Sequence, residues 1–306
     1  MHFQYQSICR GGHSILEEIR KAGCTDPQRF IAFYALRTYD KIDHNAVKGG
    51  LGVLSDEHGA PSLIDEVTSD PVDAKSLFEV DPSGIYVTEE LYIHSKLLIA
   101  DDRIVIVGSA NLNDRSQNGD HDSEIAAIIE DKDYIQSRMA GERWEAGKFA
   151  ATLRRAIFKE HLGLECEQDH EKITHLSHPP PIDAGFHPQE LSEADRKVVD
   201  PVDDDFYYNL WLRTAETNTA AFRNVFHCVP DDSVTNWDEY KAFVPDHSKI
   251  PIGHICESAR EDATKTKQEL AKVKGHLVVF PLEFLKNKKL SGSVVFDAVT
   301  PMELFT

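Results

Sequence analysis

The feature that most restricts the fold is a pair of apolar runs separated by a short polar stretch. Between Leu91 and Asn113, two runs of aliphatic and β-branched residues flank Asp101-Asp102-Arg103. Two such runs joined by a few polar residues are typical of a β-hairpin. Side chains alternate between the two faces of a strand, so we expect His94 and Lys96 to project from the same face.

The length of the turn decides which side chains meet across this hairpin. A two-residue turn at Asp102-Arg103 places Lys96 opposite Ser109. The same register places His94 opposite Asn111, and a turn one residue earlier brings His94 opposite Ser109. A two-residue turn at either position places these four polar side chains on one face of the hairpin, with cross-strand Cβ atoms about 4.5–5.5 Å apart. A three-residue turn with a bulge would break this arrangement, so the prediction depends on the turn.

The residue types in this predicted cluster suit phosphoryl transfer. A neutral imidazole such as that of His94 can attack phosphorus, and an imidazolium can protonate a leaving alkoxide. Lys96 supplies a compact positive charge for phosphate oxygens, while Ser109 and Asn111 add neutral hydrogen-bond donors. Such donors stabilise the charge that develops on a pentacoordinate phosphorus. We therefore predict a phosphate site that needs neither a metal ion nor a cofactor.

Two carboxylates complete the candidate catalytic set, with different expected roles. Asp101 is seven residues from His94, roughly 23 Å along an extended strand. Because this separation is an odd number, the two side chains would point to opposite faces of the strand. We therefore assign Asp101 to the turn, where it accepts backbone N–H bonds. The acid that orients an imidazole must come from elsewhere, and Glu124 is the best candidate.

The flanking segments predict a mixture of helices and strands. A capping box begins at Ser14, with Glu17 three residues later, and predicts a short helix that ends near Gly23. A continuous apolar run at 30–36 predicts a strand buried on both faces. Apolar residues at helical spacing predict an amphipathic helix over 144–162, with Arg154-Arg155 on its solvated face.

Composition shifts divide the chain into three regions. We expect a catalytic half-domain over 1–164, with an irregular insertion at about 40–84 that is rich in Asp, Gly, Ser and Pro. A linker or surface excursion follows over 165–199, where three consecutive prolines and many charges occur. Residues 200–306 form an extension of helices and a strand that packs on the catalytic half.

Bulk charge limits the partners of the chain. Its 306 residues carry a formal net charge of -19, from 52 acidic and 33 basic residues. Such a chain is poorly suited to nucleic acid, whose phosphates are bound by Lys and Arg. The five scattered cysteines indicate reduced thiols, and from this sequence we expect neither a secretory signal nor a membrane-spanning segment. We expect a cytoplasmic protein that is peripheral at membrane surfaces.

The hairpin also carries a family resemblance. The pattern His94-x-Lys96-x4-Asp101, followed by Gly108-Ser109-Ala110-Asn111-x-Asn113, is similar to the HKD signature of the phospholipase D superfamily. The extended block through Asp122-Ser123-Glu124 resembles the second HKD motif of eukaryotic phospholipases D that hydrolyse phosphatidylcholine. Further agreement lies along the chain, at Ile8-Cys9-Arg10-Gly11, Asp114-Arg115-Ser116, Gly119, Asp200-Pro201-Val202, Trp211 and Pro301-Met302-Glu303.

This resemblance implies a fold, a reaction and a set of roles. The implied fold is α/β, a mixed β-sheet flanked by helices that forms one of two pseudo-symmetric halves. The implied reaction converts phosphatidylcholine to phosphatidic acid and choline through a phosphohistidine, or transfers the phosphatidyl group to an alcohol. The first motif's histidine is the usual nucleophile, so His94 would be the acid and base. Lys96, Ser109 and Asn111 would bind phosphate, and Glu124 would orient a histidine.

One departure from the family leaves three hypotheses. Family enzymes carry two HKD motifs, whereas the only other His-x-Lys here, His247-Ser248-Lys249, lacks the rest of the signature. The chain is therefore expected to work with a missing first-HKD half, its protein partner beside the phospholipid substrate. Alternatively, two copies assemble a symmetric phosphodiesterase site, or the chain is a catalytically inactive fragment or regulatory protein.

Overall fold

The computed structural model describes residues 2–42, 84–164 and 191–288. The predicted α/β class is confirmed, because helices and antiparallel sheets alternate along these residues. The strands are β1 (Tyr34–Ile42), β2 (Ile85–Glu90), β3 (Lys96–Ala100), β4 (Ile104–Gly108), β5 (Ala126–Glu130), β6 (Tyr134–Met139), β7 (Glu142–Gly147) and β8 (Leu277–Val279). None of the described helices is both long and apolar enough to cross a membrane.

The helices follow the chain in the same order. They are α1 (His2–Ile8), α2 (Ile15–Lys21), α3 (Asp114–Gln117), α4 (Lys148–Leu162), α5 (Glu193–Lys197), α6 (Arg213–Phe226), α7 (Trp237–Phe243), α8 (Glu257–Arg260) and α9 (Ala263–Leu270). A 3-10 turn spans Pro27–Arg29, and a π-helix over Asp205–Leu212 leads directly into α6. The predicted capping box is confirmed at α2, where Ser14 and Glu17 bond reciprocally.

The main core lies beneath a three-stranded sheet in the order β2-β1-β8. Both pairings are antiparallel, and β8 joins the sheet through Tyr34 opposite Val279. Tyr39 of β1 packs edge-on against Phe222 of α6, with ring centroids 6.1 Å apart. The apolar run at 30–36 was expected to be the strand, but β1 begins only at Tyr34, and Phe30 is 77% exposed.

A second sheet, in the order β3-β4-β5, lies outside this core. None of its residues belongs to the three apolar clusters that the described residues form. Val105 is the one buried apolar side chain on the three strands of this sheet. Leu98 and Ile128, by contrast, are more than half exposed. An antiparallel sheet that is apolar on both faces is normally covered on both.

The turn between β3 and β4 corrects the predicted register. Asp101 and Asp102 both have left-handed φ angles, 52° and 53°, and the amide of Arg103 donates to the Ala100 carbonyl at 2.9 Å. Pairing then begins with Ala100 opposite Ile104, which leaves three residues in the turn. The prediction of a two-residue turn, at either position, was therefore wrong, and Lys96 lies opposite Gly108.

A buried ion pair fastens this turn to α4. The Asp102 carboxylate accepts two hydrogen bonds from Arg154, 2.6 Å from Nε and 2.8 Å from Nη2. Asp102 is 2% exposed and Arg154 6%. Arg155 is also buried and donates to the Ser137 hydroxyl at 2.8 Å. The prediction that Arg154-Arg155 lies on a solvated face was wrong, because the helix faces the β3–β4 turn and β6 there.

We expect Asp102→Asn to destabilise the chain by about 3 kcal/mol, because the substitution leaves the Arg154 guanidinium buried without its counter-charge. The measurement is the urea midpoint of unfolding. Asp101→Asn is the matched control, since it changes the neighbouring residue at the same backbone conformation but on an exposed side chain. That control should change stability by no more than about 0.5 kcal/mol. Equal losses from both variants would contradict this assignment.

Candidate active site

Ser109 and Glu124 meet at the end of β4 and β5. The Ser109 hydroxyl donates to Glu124 Oε2 at 2.5 Å and accepts the Ile125 amide at 3.0 Å. The Ser109 amide in turn donates to the Ile125 carbonyl at 2.9 Å, which extends the pairing of the two strands by one residue. These bonds fix both the serine hydroxyl and the carboxylate of the predicted set.

Gly108 is what lets the two strands approach this closely. A Cβ atom on Gly108 would lie 2.4 Å from the Ile125 carbonyl oxygen and 2.7 Å from the Cα atom of Ala126. Both are backbone atoms, so no side-chain movement could relieve the overlap. The close packing of β4 against β5 therefore requires glycine at position 108, independently of any role in binding substrate.

A second serine, not foreseen from the sequence, completes the environment of Glu124. Hydrogen bonds from Ser109 and Ser116, and the positive charge of Lys96, lower the pKa of Glu124 below its ordinary value. Partial desolvation and the charge of Asp122 oppose this shift. Glu124 is therefore ionised at neutral pH, and it is suited to accept a hydrogen bond from a protonated group.

Ser116 is placed by the short helix α3. The side chain of Asn113 caps this helix by accepting the Ser116 amide at 3.0 Å. The helix orients the buried Ser116 hydroxyl toward Glu124. The signal in the sequence was the Asn113-Asp114-Arg115-Ser116 run, which is an N-cap followed by a helical turn.

Lys96 and His94 lie at the same end of the sheet. Lys96 Nζ donates to the backbone carbonyl of His94 at 2.5 Å. His94 precedes β3, is exposed, and has its ring centroid 5.7 Å from that of Tyr92. No hydrogen bond of the His94 imidazole is present within the described residues. The ring is therefore accessible to a ligand.

The remaining two candidates are separated from this group or only loosely held. Asn111 is exposed, and its backbone carbonyl accepts from Gln117 Nε2 at 2.9 Å. Asp101 lies in the turn at the opposite end of β3, where its carbonyl accepts from Trp144 Nε1 at 2.7 Å. The structure thus brings together Lys96, Ser109 and Glu124, with His94 beside them and Asp101 far away.

An ion pair shapes the loop that carries Glu124. Arg115 Nε lies 2.6 Å from Asp122 Oδ2, and this contact lowers the pKa of the Asp122 carboxyl. Both side chains are substantially exposed, so the pair contributes little to global stability. Its effect is local, because it joins the start of α3 to the segment just before Glu124.

Known proteins are similar to this chain over the segment that contains the candidate site and beyond it. Residues 83–177 match the family model described as Phospholipase D. Phospholipase D1 of Mus musculus is 34% identical over 307 aligned residues, which cover 100% of this chain and 22% of that protein. The chain belongs to the phospholipase D family. Phospholipase D zeta 1 of Arabidopsis thaliana is 32% identical over 95% of this chain and 22% of its own length.

Each alignment covers most of this chain but only a small part of the relative. This chain spans about 22% of the length of these two relatives. Phospholipase D of Phytophthora infestans is 33% identical over 87% of this chain, which is 10% of that protein. The family therefore follows from the comparisons, whereas the activity of a whole phospholipase D comes to this chain only as a proposal.

We expect Ser109→Ala to raise the pKa of Glu124 toward its ordinary value, because Ser109 supplies the largest stabilisation of the carboxylate. The lowered pKa of Glu124 stabilises the folded state at pH values above the pKa of this group in the unfolded chain. This stabilisation is lost as the pH falls through the pKa of Glu124 in the folded state. A carbon-13 NMR titration of the Glu124 carboxyl measures the shift. Ser123→Ala is the control and should leave the titration unchanged; an unchanged midpoint in Ser109→Ala would contradict the assignment.

Proposed function

We propose that this chain supplies one half of a phospholipase D active site and completes it with a first-HKD half. The substrate is phosphatidylcholine, and the products are phosphatidic acid and choline. With an alcohol in place of water, the phosphatidyl group passes to the alcohol. The observation that carries the proposal is the Lys96–Ser109–Glu124 group beside an exposed His94, at the open end of an uncovered apolar sheet.

In the first step, an imidazole nitrogen of the first-HKD half attacks phosphorus. A phosphorus–nitrogen bond forms, the bond to the choline oxygen breaks, and the His94 imidazolium gives its proton to that oxygen. In the second step, His94 takes a proton from water or an alcohol, whose oxygen then displaces the nitrogen from phosphorus. Each step leaves His94 in the protonation state that the next one requires.

The other residues stabilise charge during these steps. Lys96 Nζ can turn toward phosphate oxygens by giving up its bond to the His94 carbonyl, and the side-chain amide of the exposed Asn111 can do the same. Each donor removed in such a site typically lowers the rate by about 10²–10³-fold. Ser109 is held by Glu124 and serves phosphate only if its hydroxyl rotates away from that carboxylate. Glu124, which is ionised and partly exposed, can accept a hydrogen bond from an imidazole N–H and so orient the ring.

The apolar surface around the site supports a half-site. Exposed apolar side chains surround it on the strands and adjoining loops: Tyr92, Ile93, Leu97, Leu98, Val107, Leu112, Ile125 and Ile128. Leu112 is 98% exposed and Tyr92 87%, which is unusual for large apolar residues in a motif segment. We assign a share of this surface to contact with the first-HKD half, and the residues nearest His94 to the phospholipid.

The domain division and the cellular setting remain part of the proposal. The half-domain at 1–164, the excursion at 165–199 and the extension at 200–306 are retained as proposed boundaries. The insertion at about 40–84 falls almost wholly outside the described residues, as does most of the excursion. We propose a cytoplasmic protein that acts at membrane surfaces, requires no cofactor and does not bind nucleic acid.

The direct test is choline release from phosphatidylcholine vesicles, with phosphatidylethanol formation when ethanol is added. We expect activity when this chain is mixed with a separately expressed first-HKD half, and a loss of about 10²–10⁴-fold or more with His94→Ala. His247→Ala is the matched control, because His247 is exposed and belongs to the other His-x-Lys sequence. That control should retain full activity.

The alternatives give different results in the same assay. Activity from this chain alone, lost with His94→Ala, would replace the half-site proposal by a symmetric site between two copies. A folded chain that is silent in every mixture would leave a regulatory or inactive protein. The net charge of -19 speaks against a nuclease in either case.

A further inference from the structure

A second groove lies away from the candidate active site. It has a volume of about 1000 Å³ and is formed by the β6–β7 hairpin, α5 and the start of the π-helix. Four cationic side chains line it: Arg138, Arg143, Arg196 and Lys197. None of the candidate catalytic residues does so. We call these four residues and the space between them the basic groove.

Two of its arginines occupy an unfavourable position. Arg138 and Arg143 are directly opposite each other on β6 and β7, in antiparallel register. Like charges in directly opposed cross-strand positions destabilise a hairpin. Among the described residues, neither guanidinium has a carboxylate within ion-pair distance; Arg138 donates only to the Gly141 carbonyl, at 3.2 Å. The described residues therefore supply no counter-charge that relieves the repulsion between these two arginines.

Two buried cations near the groove, by contrast, have carboxylate partners. Arg154 lies 2.6 Å from Asp102, and Lys159 lies 2.8 Å from Asp195. The Lys159 contact also fixes the position of α5, whose N-terminus is closed by a capping box at Ser192. The helix that presents Arg196 and Lys197 to the groove is thus held in place by interactions that leave those two cations available.

The acidic residues that line the groove are already bound to their own hydrogen-bond donors. The Asp200 carboxylate accepts the amides of Ala140 and Gly141, at 2.9 and 2.7 Å. Asp203 accepts the amide of Phe206 at 3.0 Å, and Asp205 accepts from Asn209 Nδ2 at 2.6 Å. These bonds orient each carboxylate toward its donor, so none of them forms an ion pair with the four cations.

Within the described part of the chain, Lys197 is the one of the four cations that forms an ion pair, and the pair is weak. Its Nζ lies 3.3 Å from Glu193, one turn earlier on α5, and both side chains are about half exposed or more. Exposed pairs of this kind contribute little and exchange readily for a better anion. An anionic ligand in the groove could therefore bind Lys197 with little loss of free energy from the broken ion pair.

We propose that the basic groove is a second ligand site, which binds a phosphate monoester. Two arginine forks side by side match the several acceptor oxygens of a dianionic phosphate, and each fork can bond two of them. A bound dianion would also relieve the repulsion between Arg138 and Arg143. Because the chain as a whole is strongly acidic, attraction of an anion must come from a local cluster such as this one. A phosphate monoester free in solution and one in a lipid headgroup share this chemistry, and the test below distinguishes the two sources.

The test measures binding to the full chain, with no turnover involved. Glycerol 3-phosphate serves as the free monoester, measured by calorimetry. Phosphatidylcholine vesicles that contain phosphatidic acid serve as the lipid monoester, measured by flotation, and vesicles with an equal fraction of phosphatidylserine control for bulk charge. Binding should be the same with His94→Ala, so failure of the proposed enzymatic function would leave this result unaffected.

We expect the double variant Arg138→Gln, Arg143→Gln to weaken monoester binding by about tenfold or more. Arg29→Gln with Lys249→Gln is the matched control, since it removes the same charge from exposed positions outside the groove. Arg143→Glu converts the repulsion into an attraction, so it should raise the unfolding temperature of the chain while abolishing binding. This variant keeps the test valid if the double variant folds poorly.

Binding of only one of the two monoester probes identifies the source as soluble or membrane-bound. The proposal is overturned if neither probe binds, or if phosphatidylserine vesicles bind as well as phosphatidic acid vesicles. It is equally overturned if the control variant loses as much affinity as the groove variant.

Discussion

The ion pair between Asp102 and Arg154 is the interaction on which the position of the candidate site depends. The β3-β4-β5 sheet contributes no side chain to the three apolar clusters of the described residues, so burial does not hold it in place. Instead the sheet is attached at its turn. Around the ion pair, the Gly147 amide donates to the Asp102 carbonyl at 2.8 Å, and the Arg103 guanidinium stacks over the Trp144 ring at 3.9 Å.

The same arginine links three parts of the chain. Besides the Asp102 carboxylate, Arg154 donates to the Val198 carbonyl at 2.7 Å, which lies in the segment that follows α5. Asp200, two residues later, binds the amides of the β6–β7 turn. The attached end of the sheet is therefore bonded to segments that also form one wall of the basic groove. The opposite end carries Ser109 and Glu124, with the exposed His94 beside them.

The sequence was sufficient to predict the hairpin and the α/β class. Register was not predictable, because it depended on whether Asp101, Asp102 and Arg103 contribute two residues or three to the turn. Aspartate tolerates the left-handed conformation, and two in succession allowed the three-residue turn that shifted Lys96 opposite Gly108. Ser109 contacts Glu124, which lies just before β5, and it is not opposite Lys96 on β3.

Burial of charge was the other feature that local patterns did not reveal. Arg154-Arg155 reads as a polar stripe on an amphipathic helix, yet its counter-charge is 52 residues earlier in the chain. The motif aspartate, Asp101, is exposed, whereas Asp102 beside it is buried. Similarly, Ser116 joins Glu124 only after α3 has formed. Each of these contacts joins segments far apart in sequence or depends on an exact local backbone, and spacing alone does not encode them.

The central claim is that His94 acts as acid and base within a site completed by a first-HKD half. Mass spectrometry of the covalent intermediate, trapped by acid quench during turnover of phosphatidylcholine, tests it most directly. The account predicts a phosphatidyl adduct on a histidine of the first-HKD half, formed only when both chains are present and strongly reduced with His94→Ala. An adduct on His94 itself, or one formed by this chain alone, would contradict the account.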